Sequence, residues 1–560
     1  MKFIYTLLFI TITYITQTIH ALSASELSHL KLKIRNVSAP TTSSLIEDHI
    51  KGITIGGWLV TEPYITPSLY NNATSMNRGN ISIVDEYTLC FALGYNKSLS
   101  ILSEHFETWI TEDDFQEISE SGFNLVRLPI GYWAWKVDHA SGLYVENITY
   151  SDPYVSEGLQ LGYLKKAIGW AEKYGLKVWI DLHGLPGSQN GFDNSGERIL
   201  RSNLGWLNEA HTKKLTLAIW SKMFKEFIGY SDSIVGMEIV NEPLSTKIGI
   251  DDITEAYYEA FDLFKFRQRK SNDSVVADNM TFVIHDAFEP IGYWNLQFNP
   301  QYVNVSSQYY NLTNITYNSQ DISVDHHHYE VFTESQLQES QYQRLINIIN
   351  YGDSIYGSEL SSHGAVVGEW SGALTDCATW VNGIGIGSRY DGTYYDNMTM
   401  YSSNDDSVIG ACTSQDDISS WSQEYKEHVR QFIEAQLATY SSRTSGWIFW
   451  NWKTESAGEW DFLKLRDAGL FPTPFDNYTY FGSDGSMNSQ VSQSLSLLAY
   501  PTSSGVSSGD DNPKTKNVGV RRSTPVFAMG NKKSDVSISR TLSHGMLIFL
   551  GTLLALCIFI

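Results

Sequence analysis

A (β/α)8 barrel is the fold class this sequence predicts, and three observations carry the prediction. Eight short apolar runs recur along the chain, amphipathic helical patterns separate several of them, and no composition break divides the region that holds them. The runs are GITIGGW (52–58), NLVRLPI (124–130), KVWIDLH (177–183), GMEIVNE (236–242), TFVIHDA (281–287), ISVDHHH (322–328), AVVGEW (365–370) and GWIFWNW (446–452). Strands alternating with helices over one domain read as a parallel sheet closed on itself. A doubly wound open sheet is the alternative. It usually carries a Gly-rich phosphate loop, and none is present.

Each element follows from local pattern. Residues 25–50 form a short leader into the first run. Leu161, Leu164, Ile168 and Ala171 mark one helix, stopped by Gly175. Leu215, Ile219, Met223 and Phe227 mark another. A third carries Trp421, Tyr425, Val429 and Ile433, with a capping box Ser420–Gln423 at its start. Residues 297–320 break the rhythm with three glycosylation sequons and many Tyr and Asn, which reads as a glycosylated surface insertion between the fifth and sixth strands. The barrel domain spans 25–501, as one domain with surface insertions. From 502 to 535 the chain turns to Ser, Gly, Asp, Asn and Lys without apolar period, the composition of a flexible stalk.

Both ends carry sorting patterns. Lys2, an apolar run from Phe3, and the small residues Ala21, Ser23 and Ala24 predict a secretory signal over 1–23. The apolar stretch Met546–Ile560 is short for a bilayer span and follows a polar spacer. With the signal in front, this is the pattern of a GPI-attachment propeptide over 536–560, with Asp535 as the expected attachment residue. A tail-anchored helix is the other reading. Sequons at Asn36, Asn72, Asn80, Asn96, Asn147, Asn272, Asn279, Asn304, Asn311, Asn314, Asn397 and Asn477 fit passage through the secretory pathway and predict exposed positions. In that oxidising compartment Cys377 and Cys412, which bracket a loop-like Gly/Tyr/Asn-rich segment, are expected to pair. Cys90 is left as a buried thiol, and Cys557 lies in the tail. A formal charge of −23 argues against a nucleic-acid partner, while 16 Trp and 33 Tyr suit a protein that stacks rings on sugars.

Polar residues fall at the ends of the apolar runs, where a barrel builds its functional face. Arg127, His183, Glu242, His327, Tyr329, Glu369, Trp450 and Trp452 all sit there. Each alone has a structural explanation, but random surface polarity would not track the ends of buried runs. Glu242 and Glu369 follow apolar strand cores directly, and a buried carboxylate is costly unless partnered. On strands four and seven they would face each other across the barrel mouth, as the two carboxylates of glycosidic cleavage do. Metal binding is the competing use. His326, His327 and His328 are consecutive, so their side chains alternate between faces and cannot all ligate one ion. No HExxH spacing is present. Neither a metal nor a cofactor is expected.

From about Gly52 to Phe471 the chain resembles the fungal exo-1,3-β-glucanases of glycoside hydrolase family 5, in their GPI-anchored yeast form. The resemblance rests on GGWLVTEPYITPSL, DEYTLC, NLVRLPIGYWAW, DLHGLPGSQNGFDNSG, IVNEP, DHHHYEVF, GEWSGALTDCATWVNG and GWIFWNWKTE. It implies Glu242 as acid/base and Glu369 as nucleophile. Arg127 would keep Glu369 ionised, while the less compensated Glu242 stays protonated enough to donate. Asn241 would bind the sugar 2-hydroxyl, and His183, His327 and Tyr329 would line the cleavage subsite. Trp450, rather than Trp452, would be the sugar platform. Glu62 and Asp193 would bind the terminal glucose, and Phe192 and Phe332 would clamp the next unit. Thr54 departs from the family, which usually has asparagine there.

The implied enzyme is a retaining exo-β-1,3-glucanase acting on wall β-glucan, monomeric and held at the cell surface, on the plasma membrane or in the wall, by its lipid anchor. Transglycosylation or β-1,6 activity from the same site is the related alternative. A non-catalytic, lectin-like wall protein is the unrelated one, and it predicts loss of a carboxylate that is in fact present.

Overall fold

The computed structural model describes residues 49–499, apart from 80, 137–151, 157, 201–202, 299–320, 361, 395–407 and 414. Eight parallel strands close into a barrel in the order β1 to β8. They are β1 Ile50–Thr54, β2 Leu125–Gly131, β3 Lys177–Gly184, β4 Ile234–Glu238, β5 Thr281–His285, β6 Ile322–His327, β7 Gly364–Glu369 and β8 Gly446–Phe449. Closure is made by β1 on β8, with Ile50 opposite Gly446 and Ile53 opposite Phe449.

Strand bounds differ from the sequence pattern where the backbone must turn. β1 stops at Thr54 because the chain bends at Gly57, whose φ is +66°. The predicted run through Glu242 ends early: β4 stops at Glu238, and Ile239 and Asn241 keep only single bonds to Val283 and Leu182 carbonyls. The eighth run likewise ends at Phe449, which leaves Trp450 and Trp452 beyond the ladder.

Helices surround the barrel. Between β1 and β2 lie α1 Pro67–Met76, α2 Glu86–Leu93, α3 Tyr95–Thr108 and α4 Glu112–Glu120. Then follow α5 Leu159–Lys173, α6 Ala210–Phe227, α7 Ile250–Lys270, α8 Trp294–Gln297, α9 Gln341–Ser358, α10 Gln423–Arg443, α11 Phe462–Asp467 and α12 Ser489–Ala499. The four predicted apolar residues of α6 are all buried, as the i, i+4 spacing requires. The capping box expected at Ser420 does not form. Ile418–Ser420 is a 3-10 turn capped by Asp417, so α10 starts later, with Ser422 Oγ accepting the Tyr425 N–H at 3.1 Å.

Inside the barrel, Ile50, Leu125, Trp179, Val235, Val283, Val366 and Ile448 pack together as an apolar layer. Side chains on one strand face recur every second residue. Two positions beyond members of this layer stand Arg127, Asp181, His285, Gly368 and Trp450. The barrel is therefore apolar below and polar above, and the polar layer is the floor of the mouth.

Cys377 and Cys412 are joined, with Cα atoms 5.1 Å apart, and Cys90 is a buried free thiol, both as expected. Sequon residues Asn72, Asn96, Asn272, Asn279 and Asn477 are exposed. The signal, leader, 299–320 of the insertion, stalk, tail, Asp535 and the sequons at Asn36, Asn80, Asn147, Asn304, Asn311, Asn314 and Asn397 lie outside the described residues. Among the described residues, no helix is long and apolar enough to cross a membrane.

Gly368 shows how tightly the polar layer is built. A Cβ placed there would meet Asp325 Oδ1 at 1.9 Å. Gly368→Ala is expected to lower stability by ~1–3 kcal/mol, the usual cost of overpacking a core, read as a lower urea midpoint at unchanged m-value. An unchanged midpoint would mean that Asp325 does not fill that space.

Candidate active site

The floor is organised by Arg127 of β2, whose side chain is wholly buried. Its Nη1 donates to Glu369 Oε1 at 2.8 Å, its Nε to Glu238 Oε2 at 3.0 Å, and its Nη2 to Asn241 Oδ1 at 2.8 Å. Asp181 Oδ2 lies 3.2 Å from Nη2 and Asp325 Oδ2 lies 3.8 Å from Nε. Burial opposes the charge of this guanidinium, but Asp181, Glu238, Glu369 and Asp325 together hold its pKa well above the ordinary value. Asp181, Glu238 and Asp325 were absent from the sequence prediction because they sit inside apolar runs. Their signal was parity: Asp181 precedes His183, and Asp325 precedes His327, by two residues on one strand face.

Glu369 ends β7 and is held at both oxygens, by Arg127 at Oε1 and by the Tyr329 hydroxyl, which donates to Oε2 at 2.8 Å. Glu242 lies four residues past the end of β4, not on the strand. Its φ is +48°, a left-handed conformation that costs a non-glycine residue ~1–3 kcal/mol unless its surroundings impose it. Asn194 Nδ2 donates to its Oε2 at 2.9 Å, and His327 Nδ1 lies 2.9 Å from its Oε1. The same Nδ1 is 3.4 Å from Glu369 Oε2. Both carboxylates therefore lie within reach of one imidazole nitrogen.

The protonation order is the reverse of the one inferred from the sequence. Burial raises Glu242, but the hydrogen bond and charge of His327, with His285 and Asn194, bring it down to about 2. Burial also raises Glu369; His327 and Arg127 oppose this, Glu242 adds to it, and the net shift is upward. Arg127 cannot hold Glu369 low as expected, because its charge is shared among four carboxylates. His327 is the reason Glu242 is not the less compensated acid. Burial opposes the charged imidazole, yet Glu369, Asp325 and Glu242 raise its pKa well above the usual range.

The remaining predicted residues gather around this pair. His183 Nδ1 is 2.6 Å from Asp181 Oδ2, and its ring stacks on Trp450 at 5.7 Å between centroids. Trp450 Nε1 donates to the Tyr64 hydroxyl, whereas Trp452 is fully buried and donates to Asp114 Oδ1. Only Trp450 of the two therefore reaches the mouth. Glu62 is buried, with Oε1 unpartnered among the described residues, and is pushed up by burial, then by Asp193 and Glu369. Asp193 also has an unpartnered buried oxygen, and burial lifts it to about 7. Phe192 and Phe332 are 43% and 38% exposed, unusual for rings in this aromatic-rich chain, and Phe332 and Tyr329 both pack on Trp460. Asn194, Tyr64 and Trp460 were not foreseen, since they lie outside the strands, and neither was His285, which closes β5 but sits two residues inside the apolar run 281–287. Thr54, the departure from the family, is buried with its hydroxyl unpartnered among the described residues.

Two groups could in principle hold a metal: Glu242, His285 and His327, or Glu238, Asp325 and His327. The residues do not fit the role. His285 Nδ1 accepts the Ala287 N–H at 2.9 Å, so Nε2 carries the ring proton and offers no lone pair. Glu238 and Asp325 already face Arg127, and a dication there would meet that charge.

The three consecutive histidines divide as strand alternation requires. His327 joins the acid pair, while His328 stacks on Tyr351 at 3.8 Å. His326 lies between Asp286, at 2.9 Å, and Glu359, at 2.6 Å. Burial works against its charge, but Glu359 and Asp286 raise it to about 10. The raised folded value gives a stability contribution fully present below about 6.5, the unfolded pKa, and lost as pH rises toward 10. The urea midpoint is expected to fall between pH 7 and 10, and to fall less in His326→Gln. Parallel pH curves for the two proteins would refute this.

A protein-family model described as Cellulase (glycosyl hydrolase family 5) matches residues 92–456. The chain is 61% identical over 514 residues to Glucan 1,3-beta-glucosidase 2 of Saccharomyces cerevisiae, covering 90% of this chain and 89% of that protein. It is 41% identical to Glucan 1,3-beta-glucosidase 2 of Candida albicans, over 82% of this chain and 92% of that one. Among solved structures, rutinosidase from Aspergillus niger superposes with a TM-score of 0.52 at 20% identity, covering 76% of this chain and 98% of that chain, a likeness of fold. A closed eight-stranded parallel barrel, a carboxylate pair at its mouth and this degree of identity agree: the chain belongs to glycosyl hydrolase family 5.

Proposed function

We propose that this protein is a retaining exo-β-1,3-glucanase that releases glucose from the non-reducing ends of β-1,3-glucan. The observation that carries the reading is the close approach of Glu242 and Glu369 to one imidazole nitrogen, with Glu369 held at both oxygens. The names of the relatives, both glucan 1,3-beta-glucosidases, support the substrate.

In this reading Glu369 attacks the anomeric carbon and forms a glycosyl-enzyme, while Glu242 protonates the departing oxygen. Water, deprotonated by Glu242, then attacks the same carbon and restores the β configuration. Asn241, fixed by Arg127, binds the 2-hydroxyl, Trp450 forms the sugar platform, and His183, His327 and Tyr329 line the cleavage subsite. Glu62 and Asp193 bind the terminal hydroxyls; their unpartnered buried oxygens suit that task and favour exo action. Glu242 must carry a proton to start the cycle, and its coupling to His327 makes the two groups a single titrating pair.

Transfer of the glycosyl group to a second sugar is the alternative fate of the intermediate. The exposed Phe192 and Phe332 favour it, since rings at a mouth can hold an acceptor against the competition of water. The signal and tail patterns support a secreted, GPI-anchored protein at the plasma membrane or in the wall, acting as a monomer.

With laminarin, the first sugar released is expected to be β-glucose by NMR, and α-glucose would overturn retention. Glu369→Gln is expected to abolish release, and Glu242→Gln to lower kcat/KM by ~10²–10⁴-fold. Equal release by Glu369→Gln and the parent would overturn the assignment of the nucleophile. Pustulan serves as the β-1,6 comparison.

A further inference from the structure

One buried imidazole at the mouth has no part in the scheme above. His285 closes β5, two residues beyond Val283 of the apolar layer, and is fully buried. The Tyr257 hydroxyl donates to its carbonyl at 2.9 Å, which fixes the end of the strand. Its Nδ1 accepts the Ala287 N–H, in a turn where Ala287 and Phe288 both have left-handed φ values of +58° and +59°. A nitrogen that accepts cannot carry a proton, so the ring is neutral and its proton is on Nε2. That Nε2–H is buried and has no partner among the described residues. A donor left unpaired in a core is a burden on folding, and such groups commonly mark a functional demand.

The surroundings define the demand. The rings of His285 and His327 lie edge to face, 4.4 Å apart at 87°. One nitrogen of each falls within 4.8 Å of a Glu242 carboxylate oxygen. The charged groups around His285 are His327 and Asp325 from β6, Asp286 beside it, and Glu242 past β4. His285, whose Nδ1 is already an acceptor, cannot take a proton from His327.

We propose that His285 is a positioning residue for the acid/base: its Nε2–H, unpaired among the described residues, is the donor that orients the Glu242 carboxyl as the glycosidic oxygen is protonated, and its ring packs against the His327 imidazole and keeps it beside that carboxyl. His285 itself gives up no proton. The bond from carbon to the leaving oxygen breaks as Glu369 bonds to that carbon, and the proton comes from Glu242. The inference rests on the acid/base reading of Glu242. It gives the strained turn at Ala287 and Phe288 a purpose, because that turn delivers the N–H that sets the tautomer.

Two substitutions separate the loop role from the site role. His285→Asn keeps an acceptor for the Ala287 N–H and removes the Nε2–H; His285→Gln places an amide donor near the Nε2 position. Both are made in the full-length protein and assayed on laminaritriose, whose leaving group needs a proton, and on 2,4-dinitrophenyl β-glucoside, whose leaving group does not. The asparagine variant is expected to lose roughly 10- to 100-fold in kcat/KM on laminaritriose, a share of the ~10²–10⁴ a positioned acid contributes, with the dinitrophenyl substrate nearly unchanged and partial recovery in the glutamine variant. Equal loss on both substrates, or no loss on either, overturns the proposal. Glu242→Gln is run beside them. Should it show no split between substrates, the acid/base reading itself falls; should it show the split while His285→Asn does not, only the role of His285 falls. If the asparagine variant does not fold, ¹⁵N NMR of the parent near pH 6 decides. A neutral His285 protonated at Nε2 supports the proposal, and an imidazolium or the Nδ1–H tautomer overturns it.

Discussion

A guanidinium enclosed by four carboxylates and cut off from water is the constraint on which the mouth of this barrel depends. Arg127 reaches from β2 toward acids on β3, β4, β6 and β7, so its bonds cross the barrel rather than follow the ladder. A buried charge is tolerable only while its partners stay in place, and loss of one partner leaves another uncompensated. The cluster thus ties five strands to a single geometry. The apolar layer beneath it excludes water from below, which strengthens every interaction in the cluster. Gly368 has no side chain because Asp325 occupies that space.

From this floor the pair of glutamates is set by different means. Glu369 is part of a strand and is held by Arg127 and Tyr329, so its position is as rigid as the barrel. Glu242 stands on a left-handed residue beyond its strand and is held by Asn194 and His327. One is fixed by architecture, the other by side-chain contacts. In the proposed reaction this distinction is apt: the nucleophile must stay aligned, while the acid/base must exchange a proton twice.

His327 gives the site its electrostatic character. It lies near both glutamates and lowers both; Glu242 also takes its hydrogen bond and ends below the ordinary value, while Glu369 ends above it. In the proposed reaction the donor is the Glu242–His327 pair, since a proton placed on either changes the affinity of the other. His326, one residue earlier, turns the other way and anchors the turn after β5 through Asp286. Adjacent residues of one strand thus serve the site and its supporting loop.

Much of this was legible in the chain. The barrel came from apolar runs and intervening helical periods, because burial on both faces of a parallel strand leaves that mark on composition. The residues His183, His327, Glu369 and Trp450 were found at the ends of apolar runs for the same reason, and they converge in the structure with Arg127, which lies inside β2 rather than at its end. Asp181, Glu238 and Asp325 went unread because a carboxylate inside an apolar run looks like an interruption until its parity with the strand end is noticed. What only the tertiary structure decided is how charge is shared. The sequence supplies one arginine near a glutamate; the fold supplies the three further acids that divide its charge and the imidazole whose hydrogen bond and charge bring Glu242 down. Local pattern determines which side chains reach the mouth, because periodicity is a property of neighbours in sequence. The proton affinity of each is a sum over neighbours in space, and those are known only once the barrel has closed.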